Sequence, residues 1–155
     1  MRKRKGRIIA VAILIFAVLL GIACLCRWFF DYSSVLYANW GFSLPIKAGY
    51  SEIYSRSTEA SWHGDGIRYH VFSCKNTEPV SEMFDWQLTE RATQDCESYS
   101  EAVEKWLAEI SVPEEEYPDM EECCWWYQSR AVGGDEILVL WNESEGKLYI
   151  VEYFL

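Results

Sequence analysis

The chain has 155 residues, half of them hydrophobic, which excludes an intrinsically disordered polymer. It carries 24 acidic residues against 14 basic ones. All 24 fall after residue 30, where only eight basic residues remain. The resulting formal charge of −16 excludes a phosphate backbone as partner, so no nucleic acid is expected.

The first seven residues, MRKRKGR, hold five cations. From Ile8 to Cys26 no charge occurs for 19 residues. As a helix that run is about 28 Å long, close to the hydrocarbon core of a bilayer. A basic head in front of it predicts a cytoplasmic N-terminus and an extracytoplasmic remainder at the cell membrane. Trp28, Phe29, Phe30 and Tyr32 follow as an interfacial aromatic belt would. The expected organisation is a basic head over residues 1–7, a transmembrane signal-anchor over 8–30, a linker over 31–48, and an acidic domain over 49–155. The span holds only Gly21 and scattered alanines, which make no helix-pairing motif and leave the oligomeric state open.

Two processed fates compete with a retained anchor. Gly21-Ile22-Ala23 offers the small residues that a signal peptidase inspects. Gly21-Ile22-Ala23-Cys24 also resembles the bacterial lipobox, with Gly21 where leucine usually stands. That resemblance implies lipidation of Cys24. A basic anchor followed by a small acidic domain is similar to the architecture of many short bacterial membrane proteins.

Within the linker, Asn39-Trp40-Gly41 and Leu44-Pro45 break regular structure. Residues 49–58 and 67–74 have strand character and flank Trp62-His63-Gly64-Asp65-Gly66, a turn whose glycines supply positive φ. Together they predict a β-hairpin. Residues 80–90 are expected as a short helix with Val80, Met83, Phe84 and Leu88 on one face. Residues 98–110 predict the clearest helix, with Ser98 and Glu101 as a capping box. Its apolar stripe is Ala102, Val103, Trp106, Leu107 and Ile110, and Pro113 ends it.

PEEEYPDMEE, residues 113–122, reads as a solvated acidic loop without EF-hand spacing. Residues 123–131, 136–142 and 147–155 predict a three-stranded meander turning at Gly133-Gly134 and again at residues 143–146. The fold class is therefore α+β, one N-terminal transmembrane helix followed by a β-hairpin, a helix and an antiparallel meander.

Four cysteines, Cys74, Cys96, Cys123 and Cys124, lie beyond the membrane segment, and an even count there permits disulfides in three pairings. A bridge from Cys96 to Cys123 stands against buried free thiols. No C-x-x-C occurs, and the two histidines are distant in sequence, so zinc spacing is poor. There is no G-x-S-x-G, no H-E-x-x-H and no Walker loop, so neither a catalytic residue nor a cofactor is expected. His63 and Asp65 are the nearest approach to a hydrolase or metal pair. Trp62, His63, Asp65, Trp125 and Trp126 make the candidate ligand or partner surface. On a strand, Trp126 faces one way and Trp125 with Tyr127 the other. The leading expectation is a non-enzymatic, single-pass protein whose extracytoplasmic domain binds an envelope protein. A lipoprotein or secreted module that binds wall glycans through exposed tryptophans is the alternative.

Overall fold

The computed structural model describes residues 13–22, 31–59, 65–88, 94–130 and 134–155. The chain divides into two units, Met1–Leu44 and Pro45–Leu155. In the first, residues 13–22 are helical with exposed side chains. Among the described residues no helix is long and apolar enough to cross a membrane. The rest of the Ile8 to Cys26 stretch, Cys24 included, lies outside the described residues.

Helix α1, Tyr32–Trp40, occupies half of the expected linker. The Asp31 side chain accepts from the Ser33 N–H at its start. Gly41 ends it in the left-handed region, its N–H donating to Tyr37 O at 3.0 Å. The Ser33 hydroxyl then accepts from the Leu44 N–H at 2.9 Å, which fixes the loop that follows. The break expected at Gly41 is there; the cap at Asp31 is the signal that turns the preceding segment into a helix.

The second unit opens with a 3₁₀ turn, Ile46–Ala48, and then builds one antiparallel sheet. Its strands are β1 (Ser51–Ser57), β2 (Gly66–Ser73), β3 (Gln87–Leu88), β4 (Cys124–Ser129), β5 (Glu136–Asn142) and β6 (Lys147–Phe154). Their spatial order is β1-β2-β6-β5-β4-β3. The expected hairpin is β1–β2, and the expected meander is β4–β5–β6. Two helices accompany them, α2 (Glu78–Ser81) and α3 (Gln94–Glu109). The class is α+β, as the alternation of patterns predicted.

One face of the sheet meets α3. Ile67, Tyr69 and Val71 of β2, Leu138 and Leu140 of β5, and Tyr149 and Val151 of β6 form a core with Val103, Trp106, Leu107 and Ile110. Trp106 stacks on Tyr153 at 5.1 Å with the rings nearly parallel. Burying each of these aliphatic side chains contributes about 2 kcal/mol, so packing rather than propensity holds the helix. The opposite face is also buried along β5 and β6, at Ile137, Val139, Trp141, Leu148 and Ile150. Part of its cover is the segment after β2: the Trp141 indole N–H donates to Ser81 Oγ at 3.3 Å, and Phe84 stacks on Trp126 at 4.1 Å.

Three expectations are corrected. The helix over 80–90 is a single turn, α2, that starts two residues earlier around Pro79. The chain then bends so that Trp86 Nε1 donates to Val80 O and Phe84 meets Trp126, which a continuing helix would prevent. Ser98 is not a cap, because α3 begins at Gln94 and Ser98 lies within it. Pro113 does not end the helix either. Ser111, at φ 56°, ends it two residues earlier: its N–H donates to Ala108 O, and that of Val112 to Leu107 O.

Candidate functional site

β1 is an edge strand of the sheet, and six of its seven residues are exposed. The Thr58 N–H donates to Ile67 O at 2.9 Å, so Thr58 faces β2. Alternation along an antiparallel pair then turns the backbone N–H and C=O of Ser57 and Ser55 to the open side. The register slips between Glu52 and Tyr54, which leaves Ile53 as the extra residue of a β-bulge. Tyr54 packs toward Tyr69 on the α3 face, and Ile53 is turned onto the same face beside Val71 and Tyr149. Arg56 ties this strand to the end of α3, its Nε donating to Ile110 O at 3.1 Å, where a cation meets the negative end of the helix dipole.

Next to the bulge is a cleft of about 170 Å³. Ile53, Val71 and Tyr149 form its apolar part, and Glu115, Glu116, Asp119 and Glu145 line it with carboxylates. Lys147 is the single cation of the lining, and its ammonium is 2.8 Å from Glu145. The acidic loop is held in place by Tyr69, whose hydroxyl donates to Glu116 O at 2.6 Å. Burial pushes the Tyr149 phenol up, with Cys123, Glu145, Glu116 and Asp119 adding to the effect in that order. The Tyr117 phenol is raised by burial, then by Glu114 and Glu104. The cleft is thus a region of negative potential with an aromatic wall, suited to a cationic side chain that has an apolar stem. Among the described residues no group of three metal-ligating side chains is close enough to hold an ion.

A second polar cluster lies on the other face of the same edge. His70 Nδ1 is 2.5 Å from Glu52 Oε1. Burial lowers the pKa of the imidazole; Glu52 and Glu152 oppose that shift, and Arg68 adds to it. Glu152 is fully buried between its cross-strand neighbours Arg68 and Ile137. The Arg68 guanidinium lies over the Phe154 ring at 4.6 Å.

Among the described residues, those singled out from the sequence do not converge. Trp62 and His63 lie outside the described residues. Asp65 is exposed just ahead of β2, while Trp125 and Trp126 are on β4, with β6 and β5 between them. Trp125 packs against Tyr99 on the α3 side at 5.1 Å. Its buried indole nitrogen has no acceptor among the described residues. Trp126 points to the opposite face, where Phe84 covers one side of its ring. The side chain of Cys96 is outside the described residues, so its pairing with Cys123 is too. Cys74 and Cys124 are free thiols, and Cys124 donates to Trp141 O at 3.4 Å. Burial pushes the Cys74 and Cys124 thiols up to about 11 and that of Cys123 up to about 12.

The cleft unites the bulge at Ile53, the loop at 114–119 and the turn that carries Glu145, three segments distant in sequence. Only the acidic loop stood out in the sequence. The bulge had no signal there, because a one-residue slip shows only in the pairing register. No family model, curated protein or solved structure gives a significant match to this chain.

Proposed function

We propose that the chain is a single-pass membrane protein that holds a small acidic interaction domain at the extracytoplasmic side of the cell envelope, where it binds another protein. The membrane part of this reading rests on the cationic residues 2–7 ahead of the uncharged stretch 8–26. The observation that carries the interaction part is the exposed β1 edge beside the acidic cleft. An open strand edge exposes unpaired main-chain donors and acceptors, and a charged cleft beside it gives a partner orientation and register.

Two measurements test the reading. Intact mass of protein extracted from membranes, with thiols blocked, gives the full-length value for a retained anchor. A mass that begins at Cys24, with or without lipid, replaces the anchor with a processed form. Crosslinking in intact cells is expected to recover one protein in preference to bulk membrane proteins. Recovery of bulk membrane proteins alone, at the level seen for an unrelated anchored domain, removes the interaction reading.

A further inference from the structure

We infer that β1 accepts an extended, cationic segment of a partner protein as an added strand, with a lysine or arginine of that segment entering the acidic cleft. This rests on the protein-binding reading above and names the partner's chemistry. Ser55 and Ser57 present their main-chain groups outward, and their side chains are too small to obstruct a neighbouring strand. The bulge brings Ile53, half exposed, to the rim of the cleft, so a long side chain from the added strand passes over it. The stem of that side chain meets Ile53 and Tyr149, and its charged end meets the carboxylates of Glu115, Glu116 and Asp119. Lys147 does not fill this role, because it already pairs with Glu145.

Charge selects the occupant. β1 offers one cation, Arg56, and that group is engaged with the end of α3. A second copy of the domain would bring another −16 to the same edge, so self-pairing is opposed by repulsion. A cationic segment is drawn in and registered by the cleft.

The test uses the full chain in detergent micelles and a fluorescent peptide of alternating lysine and valine, with a glutamate-valine peptide as control. Anisotropy is expected to show binding of the lysine peptide alone, weakening as salt is raised. Hydrogen exchange is expected to slow at the Ser55 and Ser57 amides when the peptide is bound. S55P, which removes an outward N–H, should weaken binding about tenfold, the loss of one net hydrogen bond. The combined E115Q, E116Q and D119N variant should weaken it by a similar factor. Equal binding of the two peptides, or binding with no protection at Ser55 and Ser57, overturns the proposal, and the exchange result stands even if S55P misfolds. A dimer that S55P dissolves and the lysine peptide does not compete with also overturns it, in favour of self-pairing. If the peptide fails while crosslinking in cells still recovers a specific partner, strand addition falls and the interaction reading stands.

Discussion

His70 sits between an acid that favours its charge and a burial that opposes it, and burial dominates. Its folded pKa lies below the ordinary 6.5, so the unfolded chain takes up the proton first as pH falls. Stability is therefore unaffected by this group above about pH 7 and is lost as pH drops through 6.5 toward the folded value. Conversion of His70→Gln, which keeps a donor for Glu52, should remove that loss. Denaturant titrations of both proteins between pH 7 and 5 check it. The difference in their stabilities should change by up to about 1.4 kcal/mol per pH unit, and a constant difference rules the assignment out. The thiols give a second reading at this scale. With pKa values pushed to about 11, Cys74 and Cys124 hold almost no thiolate at pH 8. Iodoacetamide should label both slowly in the folded protein and fully in urea. Rapid native labelling of either residue would contradict the burial described.

At the scale of elements, the ends and turns are where residue identity decides most. Ser111 adopts a left-handed conformation that glycine takes without cost, so Ser111→Gly should raise stability by about 0.5 to 1 kcal/mol. Gly146 is the opposite case. Its φ is 63°, and an added Cβ would stand 2.9 Å from the Cys74 carbonyl oxygen, so Gly146→Ala should cost more than about 1 kcal/mol. Thermal melts of the two variants should shift in opposite directions, and a shared direction would remove the conformational argument. The same elements show what a sequence makes legible. The hairpin, α3 and the meander were readable because periods of 2 and 3.6 are strong over seven residues or more. The start of α3 was misread because Ser98 and Glu101 have capping-box spacing inside a helix, where that spacing carries no information. The segment 80–90 was misread because Val80, Phe84 and Trp86 are placed by tertiary contacts with each other and with Trp126, which no local pattern encodes. Along β5, Leu138 and Leu140 are buried as fully as Ile137 and Val139. The uninterrupted apolar run of residues 137–141 carried that message, since a strand buried on both sides need not alternate.

For the whole molecule, charge and topology set different things. The acidic excess was plain from composition, but the placement of four carboxylates around one cleft depends on the bulge in β1 and on the Tyr69 hydroxyl that holds the acidic loop. The topology places β6 between β2 and β5, so that among the described residues hydrogen bonding passes from one to the other through it. Removal of residues 147–155 would leave two separate two- and three-stranded ribbons, each with an unpaired apolar edge. Such a variant should lose the cooperative unfolding transition altogether, which near-ultraviolet circular dichroism through a thermal melt would show; a retained transition would mean that the ribbons fold alone.

The position of β6 also sets a clock. Of the six strands, the one at the middle of the sheet is synthesised last: β6 starts at Lys147, whereas the β1–β2 hairpin that it pairs with starts at Ser51. Until β6 is made, the β1–β2 hairpin and the β3–β5 ribbon have no strand to join them. The topology thereby holds back the joining of the two ribbons into one sheet until β6 has been synthesised.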